Sequence, residues 1–267
     1  MKVKIKRIES KAKITVQESA GMAIITIYRP HLKNALTSKM WQELNVVGKK
    51  VLENPKNKVV LLRGSGTQFT AGSDIKEFHQ MSLGEAEEAF VQMEQAISTF
   101  ENLPIPTVGV INGPAMGAGL ELALACDIRI GSENAKMGIP VGKLGITLNN
   151  KFAKRLVDLI GPTRTKDLVY TGRIFNAEEA YEYGMLNYLV SEKQLDRFAM
   201  TKGKIICEQS SSSLLAIKRA VATNINTIQK FWEEDTKFVD AYDFPEGVAS
   251  FVEKRKPKFK PRKTQQY

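Results

Sequence analysis

Histidine and cysteine are scarce in this chain: His31 and His79, Cys126 and Cys207, each isolated in a sequence of 267 residues. Neither type has the spacing of a metal site, so no metal is expected. The two lone cysteines exclude a disulfide framework and favour a reducing compartment. With the histidines far apart and no G-x-S-x-G, a Ser-His-Asp triad is not expected either. No apolar run approaches the length of a membrane span. The N-terminal MKVKIKRIESKAK is basic and lacks the apolar centre of a signal peptide, so a cytoplasmic location is expected.

Acidic charge is missing from both ends. Residues 1–13 carry a net +5 and residues 254–267 a net +7, which leaves −2 for the 240 residues between them out of a total of +10. The body is therefore near neutral. Such tails are commonly solvated solubilising runs; phosphates on a substrate or nucleic acid are the pointed alternatives. The length suits one large domain or one and a half, and the hydrophobic fraction of 43% is a little under the globular range.

What is present is organised around residues 104–127, PIPTVGVINGPAMGAGLELALACD. An apolar strand, Thr107 to Ile111, breaks at Asn112-Gly113-Pro114. A small-residue segment follows, and a helix is expected over Leu120 to Cys126. Strand, glycine-rich turn and helix bring bare backbone N–H groups close to a ligand. The segment matches neither G-x-x-x-x-G-K-[ST] nor G-x-G-x-x-G, so the phosphate-loop and dinucleotide readings fail. Apart from the cysteine thiol, Glu121 is the one ionisable side chain between Asn112 and Asp127. It lies in a Leu/Ala run that reads as buried. A buried carboxyl has a raised pKa, which suits a group that gives and takes protons; a structural Glu paired to a nearby Arg is the alternative reading. The layout is that of an oxyanion hole with its acid/base group.

The rest of the chain alternates strands and helices, which indicates an α/β architecture. Residues 14–28 read as two strands around Ala20-Gly21, and Ala23–Ile27 and Val59–Leu62 are near-continuous apolar strands, buried on both faces. A helix is expected from Met40 to Val51, and another from Glu85 to Asn102. A second turn-rich loop, Phe69-Thr70-Ala71-Gly72-Ser73-Asp74, follows the Val59–Leu62 strand. Two such backbone nests can converge on one oxygen. Beyond Asn150 the chain is mostly helical, with stops at Gly161-Pro162 and Thr171-Gly172 and a short strand at Leu186–Val190. The Ser210–Ser213 run reads as a helix start.

The segments F69-T-A-G-S-D-I-K76 and G113-P-A-M-G-A-G-L-E-L-A-L-A-C-D127 resemble the two signatures of the crotonase (enoyl-CoA hydratase/isomerase) superfamily. Arg29-Pro30-x-x-x-Asn34-Ala35-Leu36 resembles its N-terminal motif, and Gly247 to Pro257 its C-terminal one. The resemblance spans nearly the whole chain. It implies a ββα-superhelix, the crotonase-like spiral, in residues 1–190, and a helical trimerisation region in 191–267 that also contacts coenzyme A. It implies a homotrimer or a dimer of trimers, and an enzyme of fatty acid metabolism whose substrate is an acyl-CoA thioester, with no separate cofactor. The backbone N–H groups of Ser73 and Ala118 would form the oxyanion hole, and Glu121 would be the acid/base. Ser73, Asp74, Ile75 and Lys76 would border the CoA, with Phe251 and Lys254 reaching its nucleotide end.

One departure limits the chemistry. Family hydratases hold water between two glutamates, and the position of the second is Val141 here, with no acid between Glu133 and Asp158. Asn149 and Asn150 lie just downstream and are expected to cap the next helix rather than position water. Enoyl-CoA hydration or isomerisation with Glu121 alone is the expected activity; decarboxylation of a malonyl-type thioester is the alternative, and a catalytically silent acyl-CoA binder a third. Nucleic acid is not an expected partner: the lysine row of the family's RNA-binding branch would fall on Lys39, Glu43 and Val47, so it is absent.

Overall fold

The computed structural model of the chain describes residues 13–226, 241 and 243–258. Most of the two basic tails thus lies outside the described residues, as do residues 227–240 of the helix-rich C-terminal part. Among the described residues no helix is long and apolar enough to cross a membrane.

The chain opens with a hairpin of β1 (Lys13–Ser19) and β2 (Met22–Tyr28). Ala20 and Gly21 both take positive φ, the backbone of a tight two-residue turn that matches strand twist. Helix α1 (Ser38–Lys50) follows, started by the Thr37 side chain, which accepts from the Met40 N–H. Then come β3 (Val59–Gly64), the one-turn α2 (Ile75–Phe78) and α3 (Leu83–Glu101), the last opened by a reciprocal Ser82/Glu85 capping box. The central stretch supplies β4 (Thr107–Ile111), β5 (Pro114–Met116) and α4 (Ala118–Leu124). Next are β6 (Ile128–Ser132), β7 (Lys136–Gly138) and α5 (Asn150–Thr171). Short β8 (Ile174–Phe175), α6 (Ala177–Glu182) and β9 (Tyr188–Val190) lead to α7 (Glu192–Cys207), α8 (Ser211–Asn226) and α9 (Asp243–Val252).

These elements form the ββα spiral. A six-stranded sheet runs β1-β2-β3-β4-β6-β9, antiparallel between β1 and β2 and parallel thereafter. A three-stranded sheet runs β5-β7-β8. Successive turns place β4 beside β6 in the large sheet and β5 beside β7 in the small one, both parallel. Earlier turns contribute single bridges, Leu36 to Ser73 and Thr70 to Ala115. The near-continuous apolar strands are explained by helices on both faces of the large sheet. Ile25, Ile27, Val60 and Leu62 face the main core with Trp41 and Phe100. Met22, Val59, Leu61 and Val108 face Leu195 and Ala199 of α7.

Two local expectations are corrected. The central helix starts two residues early, because Gly117, at φ 53, turns the chain into the helix ahead of Ala118. The segment before it is not a plain loop: Pro114–Met116 pairs with β7. The expected stop at Gly161-Pro162 holds, dividing α5 into two helical halves. Gly161 leaves helical geometry at φ 76, Pro162 restarts the helix where no N–H is needed, and the Thr165 hydroxyl donates to the Gly161 carbonyl at 2.9 Å. The expected stop at Gly172 holds, with φ 60 closing the helix.

Asn34 fixes the path of the first site loop. It is fully buried with φ 56, a left-handed conformation that Asn tolerates. Its Oδ1 accepts from the Arg29 N–H (3.0 Å) and the Ser65 hydroxyl (2.9 Å). Its Nδ2 donates to the carbonyls of Ser65 (3.0 Å) and Gln68 (2.8 Å). Asn34→Ala is expected to lower stability by about 1–3 kcal/mol for each buried group left unsatisfied, measured by urea denaturation. An unchanged midpoint would mean that the loop holds itself without this side chain.

Candidate active site

The two glycine loops meet backbone to backbone. Thr70 bridges to Ala115, its N–H donating to the Pro114 carbonyl and its own carbonyl accepting from the Met116 N–H, each at 3.1 Å. A Cβ on Gly72 would lie 2.5 Å from the Met116 carbonyl oxygen and 3.2 Å from the Ala118 nitrogen. A Cβ on Gly119 would lie 2.6 Å from the Thr70 carbonyl oxygen. Glycine is required at both positions by this close approach.

Leu36 then sets the direction of the Ser73 peptide. The Leu36 N–H donates to the Gly72 carbonyl and the Leu36 carbonyl accepts from the Asp74 N–H, both at 2.8 Å. In a parallel bridge of this kind the intervening residue, Ser73, turns its own N–H to the opposite side. Ala118 is the first residue of α4, where the N–H groups lack intrahelical partners. Among the described residues, no backbone acceptor pairs with either N–H. Ser73 and Ala118 both line one cavity of about 330 Å³, and Glu121, one turn into α4, lines it as well. The Ser73 hydroxyl accepts from Trp41 Nε1 at 3.0 Å.

The other expected residues separate into groups. Ile75, Val141 and Phe251 line the cavity. Val141 is buried and heads a short 3-10 turn, Val141–Leu144, after Pro140. Phe251 is 55% exposed and reaches the cavity from α9, which packs directly on that turn: a Cβ on Gly247 would lie 2.4 Å from the Leu144 carbonyl carbon. Asp74 does not line the cavity. It caps α2 by accepting from the Lys76 N–H at 3.1 Å and forms a 2.8 Å ion pair with Arg29. Lys76 and Lys254 are exposed, outside the cavity lining. Asn149 caps α5 as expected, accepting from the Phe152 N–H at 2.7 Å. It also lines the cavity and donates to Glu94 Oε2 at 3.4 Å.

Behind Glu121 lies a buried charge cluster that the sequence reading did not assemble. Arg155 Nη1 donates to Glu121 Oε1 at 2.6 Å and to Glu94 Oε2 at 3.2 Å. Its Nη2 donates to Glu94 Oε1 at 2.9 Å and Glu101 Oε2 at 2.7 Å. Glu121 is therefore paired to an arginine, the alternative left open by its sequence. It is nonetheless 1% exposed. Burial pushes its carboxyl well above the usual range, the Glu94 charge pushes the same way, and Arg155 pulls back without cancelling either. For Glu94 burial also opposes ionisation, but hydrogen bonds from Arg155 and its other partners win and hold it at about 2. The signal for Glu94 was present in its spacing. It falls four residues after Phe90 and three before Ile97, on the buried face of α3. Arg155 likewise lies between Phe152 and Leu156 on the buried face of α5. Lys33, at φ 52, is a further cavity residue that pattern alone did not single out.

The model of a family described as enoyl-CoA hydratase/isomerase matches residues 17–262. An enoyl-CoA isomerase/hydratase of Mycosarcoma maydis is 32% identical over 91% of this chain and 93% of its own length. A crotonyl-CoA hydratase of Syntrophomonas wolfei is 32% identical over 92% and 97%. Two crystal structures share the fold. An enoyl-CoA hydratase/carnithine racemase from Magnetospirillum magneticum has TM-score 0.78 and 30% identity over 94% of this chain and 96% of that one. An enoyl-CoA hydratase/isomerase from Pseudoalteromonas atlantica has TM-score 0.80 and 27% identity over 93% and 100%. The fold and these relatives define the class, an enzyme of the lyase or isomerase type acting on CoA thioesters. The chain belongs to the enoyl-CoA hydratase/isomerase family.

The pH dependence of stability follows from the Glu121 shift. Its folded pKa is raised above the ordinary glutamate value that the unfolded chain keeps, so its contribution is full below that value and is lost as pH rises through the folded pKa. Glu121→Gln lacks this loss. Urea denaturation from acidic to alkaline pH should show the variant gaining on wild type as pH rises; a constant difference would mean that Glu121 titrates alike in both states.

Proposed function

We propose that the Ser73 and Ala118 N–H groups bind the thioester oxygen of an enoyl-CoA and that Glu121 is the single acid/base group of a hydratase or isomerase reaction. The observation that carries this reading is that Ser73, Ala118 and the buried Glu121 line one cavity, with no backbone acceptor for either N–H among the described residues. As negative charge develops on the thioester oxygen, two fixed N–H dipoles stabilise it without reorganisation; in oxyanion holes a single donor contributes about 2.7–4 kcal/mol. Val141 presents only methyl groups where a second carboxylate would hold water, so ordinary crotonyl-CoA hydration should be slow. Beside Lys33, Thr147 and Asn149, the residues Phe78, Phe90, Met93, Leu144 and Phe152 make most of the remaining wall apolar, which favours a larger or branched acyl chain.

Ser73, Ile75 and Phe251 would flank the thioester arm. Asp74 would act through loop shape, and the exposed Lys76 and Lys254 would meet the phosphates of the nucleotide end. Assembly as a trimer or a pair of trimers is part of the same reading, as is a cytoplasmic location. Exposed apolar side chains at Tyr170, Ile174 and Tyr181 support assembly, and light scattering at micromolar protein tests it. A stable monomer would count against it.

Decarboxylation of a malonyl-type thioester is the second reading. It is favoured by the apolar wall, which solvates a substrate carboxylate poorly. Loss of CO₂ would leave the enolate in the same N–H pair without any base to remove a proton, and a water molecule would protonate its C2.

The deciding experiment is a mass-spectrometric screen of acyl-CoAs in D₂O with wild type, Glu121→Gln and Val141→Glu. Deuterium incorporation should fall by about 10²–10⁴-fold in Glu121→Gln, the usual weight of a general acid–base group. Crotonyl-CoA hydration should appear in Val141→Glu. Full activity of Glu121→Gln on the best substrate would remove Glu121 as the base and promote decarboxylation.

A further inference from the structure

The carboxyls of Glu94 and Glu121 come from different helices and meet at one nitrogen, Nη1 of Arg155. Their surroundings are unequal. Glu94 takes both prongs of Arg155, the Ser98 hydroxyl at 2.7 Å and the Asn149 amide at 3.4 Å, with Lys151 Nζ at 3.8 Å. Glu121 takes Arg155 Nη1 at 2.6 Å as its one side-chain donor among the described residues. The two carboxyls thus share a single donor nitrogen, so their charges would face each other across Arg155 Nη1 if both were ionised.

We infer that Glu94 and Glu121 hold one proton between them, and that Glu94, a positioning residue outside the cavity, keeps that proton on Glu121 in the resting enzyme. The donor count decides the placement. Glu94 has donors enough to stay ionised in a buried setting, whereas Glu121 has too few. The charges around the pair fit one proton. From α3 come Glu94 and the half-exposed Glu101, from α4 Glu121, and from α5 Arg155 and the exposed Lys151. With both buried carboxyls ionised, Arg155 alone among the buried groups would balance them while also serving Glu101. Adding one proton leaves the Glu94–Arg155–Glu121 core neutral. Like charges at this range cannot both ionise without strong penalty.

The inference rests on Glu121 being the acid/base group, and it gives that group a direction. Glu121 meets the substrate as an acid. In hydration, water adds to C3 while the Glu121 O–H delivers its proton to C2 and the other carboxyl oxygen accepts the proton lost by water. The carboxyl ends as it began, so one residue performs the addition with protons balanced. Glu94 thus supplies the second negative charge that Val141 does not, but from behind the acid and not across the substrate.

The test is Glu94→Gln, which keeps shape and removes the charge, read by two measurements. The first is infrared spectroscopy of the free enzyme, which needs no turnover. Wild type should show the carbonyl stretch of a protonated carboxylic acid at neutral pH, and Glu121→Gln should lack it. In Glu94→Gln the band should titrate about 1–3 pH units lower, because Arg155 then faces Glu121 unopposed. The second is the pH profile of kcat/KM on the best thioester, whose alkaline fall should move down by the same amount. A purely structural Glu94 would lower activity without moving the profile. No protonated carboxyl in wild type at neutral pH, an unmoved band in folded Glu94→Gln, or movement of the acidic limb instead would overturn the inference. If no thioester is turned over, the proposed reaction fails and the infrared band still decides the shared proton.

Discussion

The contact on which the site depends is the approach of two stretches of bare backbone, Gly72 against Met116 and Ala118, and Gly119 against Thr70. A side chain at either glycine would push the loops apart, since the built Cβ positions lie well inside contact distance. The bridges of Leu36 to Ser73 and of Thr70 to Ala115 hold the loops in register. Their hydrogen bonds consume the neighbouring backbone groups and leave the Ser73 and Ala118 N–H groups without a backbone acceptor among the described residues. Because consecutive turns of the spiral stack in parallel, each loop is delivered to the same end of the sheet as the one before it.

Under that backbone arrangement lies a second constraint, electrostatic rather than steric. Arg155 is buried on α5 and joins α3 to α4 through carboxylates on each. Removing one partner from such a cluster leaves another charge uncompensated, so its members act as a unit. The kink at Gly161 lies further along the same helix, leaving its first turns, which carry Arg155, to face the cluster. The helix cap at Asn149 joins in by touching Glu94. One residue thus starts the helix, lines the cavity and contributes to the charge balance.

Much of this was legible in the residues. The β-branched runs of β2 and β3 read as strands buried on both faces, and the second face is the one α7 covers. The glycine loops read as backbone nests because nothing else explains so many small residues between a strand and a helix. Glu121 stood out as the lone acid in an apolar run. What was not legible has physical causes too. The start of α4 depended on the positive φ of Gly117, and β5 exists only because β7 lies beside it. By contrast, the Gly161-Pro162 pair read as a helix end, and the helix does break there before Pro162 starts the next one.

The sequence by itself determined the alternation of strands and helices, the two loops, the acid at Glu121 and the absence of one at Val141, since these are set by residue type and local spacing. Only the tertiary structure decided what faces Glu121. Glu94 and Glu101 lie on α3 and Arg155 on α5, and their meeting depends on how three helices pack. A carboxyl's charge is fixed by the donors and charges within a few ångströms of it, whatever their distance along the chain, so its protonation state is a property of the fold.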